Sequence, residues 1–145
     1  MTTGIPQGMK RVFVYGTLKR GFPNHAYMTG ATFVALVKTV ERFPLLVGGD
    51  WFTPYLLPEA GEGFQVAGEL WEVPDAMIPA LDELESTHLP NGYRRVEIDV
   101  VADGDAAPVK AWTYFRERRH IAKFHTGNLA DYQDRRYVAR LDRDV

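Results

Sequence analysis

The sequence predicts an α+β domain built on a small, mostly antiparallel sheet or barrel, and three observations carry that prediction. Short apolar or alternating runs recur from Lys10 to Phe115, separated by Gly, Pro, Asn and Asp. Only one segment, Ala76 to Ser86, repeats its apolar residues at helical spacing. Strands therefore do not alternate with helices, which argues against βαβ units and a wholly parallel sheet. With 145 residues and no internal repeat or linker, the chain is long enough for one core, since a domain of this size buries roughly 68–70% of its unfolded surface. Residues 1–9 read as a flexible leader and residues 10–145 as a single domain.

The elements follow in order. Lys10 to Tyr15 (KRVFVY) reads as a strand whose continuous Val12, Phe13 and Val14 suit burial on both faces. It ends in a glycine-bounded loop from Gly16 to His25, and His25 to Met28 forms a short helical turn before Gly30. Phe33 to Val40 is a second strand, Leu45 to Val47 a third and Tyr55 to Leu57 a fourth. Gln65 to Val73 alternates as a half-buried strand does. Pro74 and Asp75 start the helix, with Pro79 near its first turn, where proline disturbs least. After the Pro90-Asn91-Gly92 turn, Arg94 to Val101 alternates again, and Val109 to Phe115 is an aromatic-rich strand. Beyond Arg116 the periodicity is weak. Trp51, Trp71, Trp112 and Tyr114 read most simply as core aromatics.

Composition excludes several chemistries. The absence of cysteine removes disulfide frameworks, thiolate metal sites and cysteine nucleophiles together. A net charge of −2 and a pI of about 6.1 do not describe a nucleic-acid binder. The charge is uneven, with 8 Lys/Arg against 14 Asp/Glu in residues 1–109 and 9 against 5 in residues 110–145. The basic end is interleaved with acids, so it reads as a solvated, salt-bridged surface rather than a polyanion site. No apolar run approaches the roughly 18–20 residues of a membrane span, and the start has no hydrophobic signal core. A soluble, cytoplasmic protein without membrane partners is expected. The four histidines show no ligand spacing, so no metal is expected, and no Gly-x-Ser-x-Gly elbow occurs.

One carboxylate is misplaced. On a wheel of about 100° per residue centred on Leu81, Met77 falls near −40°, Leu84 near −60° and Ile78 near +60°. Glu85 falls at about +40°, inside the apolar stripe, whereas Glu83 lies near 200°, on the solvent side. A carboxylate removed from water loses acidity and becomes able to exchange a proton near neutral pH, as a general acid/base must. The plainer alternative is that Glu85, at the helix end, pairs with Arg94 or Arg95 or turns out to solvent. A second candidate is the corner Tyr15-Gly16-Thr17-Leu18, where a buried strand delivers consecutive amide N–H groups and a glycine admits close approach. It is not a phosphate loop, because it lacks the spacing and the Lys-Ser/Thr ending.

Four spaced motifs, VFVYGTLKRGFPNH at 12–25, FPLLVGG at 43–49, VAGELWEV at 66–73 and LDELES with a following YRR at 81–95, resemble the γ-glutamylcyclotransferase superfamily, nearest to its AIG2-like γ-glutamylamine branch. The resemblance implies a small mixed, mostly antiparallel β-barrel with flanking helices, and an enzyme that releases 5-oxoproline from γ-glutamyl compounds without a cofactor. By the same resemblance Glu85 is the catalytic glutamate, and Tyr15, Gly16, Thr17 and Leu18 are the substrate-binding loop. Tyr114 falls on a pocket tyrosine. The implied partner is a small γ-glutamyl substrate, with no nucleic acid, and the chain is expected as a monomer or weak dimer. Two departures bear on the substrate: Leu84 stands where the amine-specific branch has an aromatic residue, and the 86–92 segment is longer. Tyr137 to Arg143 (YVARLDR) resembles a tail of that branch. A non-catalytic small-molecule binding module with the same pocket is the alternative.

Overall fold

A computed structural model describes residues 7–104 and 107–143, so most of the expected leader lies outside the described residues. The chain forms β1 (Met9–Val14), β2 (Thr32–Phe43), β3 (Leu45–Gly48), β4 (Thr53–Leu56), β5 (Phe64–Pro74), α1 (Ile78–Leu84), β6 (Arg94–Ala102) and β7 (Val109–Phe115). Five strands close a barrel in the order β1-β5-β2-β6-β7, and β3 pairs with β4 as a separate ribbon. Four barrel pairings are antiparallel; the fifth, β1 with β7, is parallel at Val12 and Trp112 and completes the ring. This is the mixed, mostly antiparallel barrel the sequence predicts.

β1 carries a continuous apolar run because both its faces are covered. Phe13 points into one core cluster with Val37, Val66, Leu70, Val100 and Ala111. Val12 and Val14 join a second cluster with Trp71, Val73, Ile78, Leu81 and Tyr114. Through that second cluster α1 packs on the outside of β1, β5 and β7. Leu81 is fully buried at its centre, a site where truncation to alanine costs about 2–5 kcal/mol.

Two elements depart from the sequence expectation. β2 is longer than 33–40 and bends around the barrel through register shifts between Phe33 and Ala35 and between Lys38 and Arg42. At the second shift the buried Thr39 hydroxyl accepts from the Val66 N–H at 2.9 Å and donates to the Glu41 carbonyl at 2.5 Å, so the interrupted ladder keeps its hydrogen bonds. The helix is shorter than 76–86. A 3₁₀ turn at Asp75–Met77 leads into α1, which has Pro79 in its first turn and ends at Leu84.

Residues 116–143 form an extended strap. It bonds along the free edge of β3, with the His125 N–H on the Val47 carbonyl and the Leu129 N–H on the Leu45 carbonyl, both 2.8 Å. Further on, the Ala130 carbonyl accepts from the Ala67 N–H at 2.7 Å. Tyr132 is fully buried against Phe22, and the buried Lys19 ammonium holds Asp131 at 2.9 Å and the Tyr132 carbonyl at 2.8 Å. No helix among the described residues is long and apolar enough to cross a membrane.

Candidate active site

The chain leaves β1 at Val14 and turns at once through Tyr15, Gly16, Thr17 and Leu18. The Tyr15 hydroxyl donates to the Tyr114 carbonyl at 2.7 Å, which ties the corner to β7. Burial, followed by the nearby Glu85 charge, pushes the Tyr15 phenol well up, so it stays a neutral donor. Asn24 holds the next residue from two sides: its N–H bonds the Thr17 carbonyl and its amide group the Thr17 hydroxyl, each at 2.9 Å. His25 Nδ1 lies 3.0 Å from the Leu18 carbonyl. The N–H groups of Gly16, Thr17 and Leu18 take no hydrogen-bond acceptor among the described residues. Gly16 is required by packing: a Cβ there would sit 2.6 Å from Pro54 Cγ.

Glu85 caps the C-terminus of α1. Ser86 follows with φ 56°, and its N–H bonds the Glu83 carbonyl while the Thr87 N–H bonds the Asp82 carbonyl, both at 3.0 Å. That pair of bonds is a Schellman closure with serine where glycine is usual. The Glu85 backbone is held on both sides, its N–H by Leu81 at 3.0 Å and its carbonyl by the Tyr93 N–H at 3.1 Å. Its carboxylate accepts no hydrogen bond among the described residues, and Arg95 pairs instead with Asp82 at 3.5 Å. Burial raises the Glu85 pKa to about 7, against the pull of Arg140. The side chain keeps partial solvent access, as a proton carrier at a pocket wall requires.

The five residues singled out in the sequence, Tyr15, Gly16, Thr17, Leu18 and Glu85, line one cavity of about 290 Å³. Tyr114 does not: its ring packs beneath α1 and its hydroxyl donates to Asp82 Oδ1 at 2.8 Å, so it braces the helix from behind. Trp51, read as core, is half-buried and lines the cavity instead. β4 and the segment before β6 add Pro54, Tyr55 and Tyr93 to the wall, and the strap adds a further side. Tyr137 accepts at its hydroxyl from the Asn24 amide at 3.1 Å, and the Val138 N–H bonds the Trp51 carbonyl at 2.9 Å.

Three strap arginines, Arg116, Arg140 and Arg143, also line the cavity. Arg118, Lys123 and Arg136 make the ion pairs expected of a solvated surface, with Glu59, Asp50 and Asp134. The three cavity arginines make none among the described residues. Arg116 lies over the Tyr55 and Tyr93 rings, at 5.2 and 5.9 Å, and Arg143 lies 5.0 Å from the Trp51 ring. With Glu85 as the one acidic side chain on the cavity wall among the described residues, the site is electropositive and suits an anionic end of a ligand. Spacing along an aperiodic segment gives no hint that three of its eight cations turn inward. Only the YVARLDR likeness pointed there.

Comparison with known proteins bears on the family and the fold. The sequence model of the family described as gamma-glutamyl cyclotransferase, AIG2-like, matches residues 12–137. A gamma-glutamylaminecyclotransferase from Bos taurus is 35% identical over 142 residues, covering 90% of this chain and 83% of the relative. The Homo sapiens protein of the same name is 41% identical over 105 residues, covering 69% and 67%. A crystal structure of an AIG2-like protein from Mus musculus superimposes with a TM-score of 0.81 at 31% identity, covering 94% of this chain and all of the other.

Proposed function

Because the chain belongs to the AIG2-like γ-glutamyl cyclotransferase family, a family of enzymes, we propose that its cavity converts a γ-glutamyl amide to 5-oxoproline and a free amine, with Glu85 carrying the proton. The observation that supports this most is a carboxyl free of hydrogen bonds among the described residues, lining the same small cavity as a turn of unengaged amides, with burial pushing its pKa up to about 7. The reaction needs no protein nucleophile. Glu85 takes a proton from the substrate α-ammonium, and the freed amine attacks the γ-carbonyl carbon of the same molecule. A five-membered ring forms, the γ-carbon–nitrogen bond breaks as Glu85 returns its proton to the departing nitrogen, and the second proton that the ring nitrogen sheds passes by way of Glu85 to the released amine, which leaves as an ammonium beside the neutral lactam. Intramolecularity already supplies the proximity term, so the protein must fold the substrate and move that proton.

The amides of Gly16, Thr17 and Leu18 are suited to holding the substrate α-carboxylate or the oxyanion that develops at the γ-carbonyl. A cavity of about 290 Å³ is at the small end of ligand sites and favours a compact γ-glutamyl amide over a long peptide. The test is release of 5-oxoproline from a panel of γ-glutamyl amides and peptides, run with Glu85→Gln and Glu83→Gln. Glu85→Gln is expected to lower turnover about 10²–10⁴-fold, while Glu83→Gln stays near wild type. Equal activity in the two variants, or no product from any substrate, overturns the reading.

A further inference from the structure

Glu85 projects from a weak place for a proton carrier. α1 is only seven residues long, Glu85 is already past its last residue, and Ser86 follows in a backbone region that disfavours side chains. The last carbonyls of a helix also lack partners within it. Here the Leu84 carbonyl accepts from the Arg140 guanidinium at 2.7 Å, and the same nitrogen lies 3.3 Å from the Ser86 hydroxyl. One guanidinium nitrogen therefore bridges the residue before Glu85 and the residue after it. Arg140 opens the 3₁₀ turn Arg140–Asp142, two residues beyond the Val138–Trp51 bond that fastens the strap.

We propose that Arg140 is a positioning residue for Glu85: by bridging Leu84 and Ser86 from the strap, it fixes the turn from which the carboxylate projects and sets the charge that the carboxylate faces. The inference rests on the role of Glu85 given above. The other groups around Glu85 leave Arg140 as its chief charged neighbour. Tyr15 at the exit of β1, Tyr93 before β6 and Tyr114 on β7 are phenols that burial keeps neutral. Asp82 of α1 is taken by Arg95 and the Tyr114 hydroxyl. Arg116 and Arg143 share the cavity wall but engage aromatic rings. The Arg140 charge opposes the effect of burial on the carboxyl, so a neutral residue there leaves burial without its counterweight.

The test follows the Glu85 carboxyl directly, by ¹³C NMR of substrate-free protein labelled at the glutamate side-chain carbon, with Glu85→Gln to identify the resonance. In Arg140→Gln the titration midpoint rises by about half to one pH unit, and in Arg140→Lys it stays near wild type. With γ-L-glutamyl-ethylamide as substrate, the acid limb of kcat/KM moves by the same amount. Activity then falls about threefold to tenfold more at pH 6 than at pH 9, over and above any pH-independent loss from removing one of the three cavity arginines. An unmoved midpoint in Arg140→Gln, or an equal loss at every pH, overturns the proposal. A moved midpoint in a protein that releases no 5-oxoproline upholds the coupling and rejects the enzymatic role instead.

Discussion

Residues 9–115 and residues 116–143 hold their shape in different ways. The barrel is a closed ladder around two buried clusters, and each strand is fixed by neighbours on both sides. The strap is fixed at separate points: a few backbone bonds to β3 and Trp51, a buried tyrosine, and the long-range grips of Lys19 and Arg140. The two also differ in strain. The non-glycine residues with left-handed backbone among the described residues are Phe52, Ser86 and Lys123, and each lies on the seam where strap meets barrel. Phe52 follows the residue whose carbonyl receives Val138, Lys123 accepts from the Gly49 N–H, and Ser86 meets Arg140. Strain of this kind persists only where surroundings over-determine it, and it gathers at functional sites. In this division of labour the barrel and α1 carry the proposed reacting groups, while the strap closes the cavity and, through Arg140, braces the turn that holds Glu85.

The largest effect that sharpens this contrast is on the barrel side. Gly16→Ala forces a methyl against Pro54 and displaces the amide corner. Loss of about 10²–10³ in kcat is expected, as for one oxyanion donor, with about 1–3 kcal/mol of stability. Steady-state kinetics and urea unfolding separate the two, and a wild-type kcat would break the assignment of the corner to catalysis.

A smaller effect concerns the cost of holding Glu85. Its pKa rises from the ordinary 4.5 to about 7 on folding. The folded protein therefore binds this proton more tightly than the unfolded chain, and stability declines as pH climbs from about 4.5 to 7 and stays lower above that. Glu85→Gln removes the penalty. At pH 8 it should be more stable than wild type by about 1–2 kcal/mol, discounted for the partial exposure of the carboxyl, and the gain should vanish near pH 4. Calorimetry at the two pH values checks the sign.

The smallest effect belongs to the strap. Tyr137→Phe removes the acceptor for the Asn24 amide, a bond worth about 1 kcal/mol. KM is expected to rise about fivefold with kcat nearly unchanged. A fall in kcat larger than the rise in KM would mean that Tyr137, and not only Arg140, acts on the chemistry from the strap.

The same contrast explains what the sequence reveals and what it hides. Val12 to Val14, Gln65 to Val73 and Val109 to Phe115 declare themselves because a ladder imposes a period on side chains, and the misplaced Glu85 stands out only because the apolar stripe of α1 makes an expectation to violate. An extended strap without a regular partner imposes no period. Its inward arginines look like its outward ones, and Trp51, on a turn between β3 and β4, looks like any core tryptophan. Tyr114 is the reverse case: its reading as a core aromatic holds, and it is the family resemblance that assigns it to a pocket its ring does not line.

The parallel pairing of β1 with β7 has a kinetic consequence. Val12 meets Trp112, and the Tyr15 hydroxyl reaches a carbonyl 99 residues away, so the first strand and the last must find each other across nearly the whole barrel sequence. Closing so long a loop is entropically expensive and tends to come late in folding. The amide corner at the end of β1 and the Glu85 turn then face each other only when the ring shuts. Recovery of turnover during refolding should accordingly trail the return of secondary structure and report the final closure of the barrel.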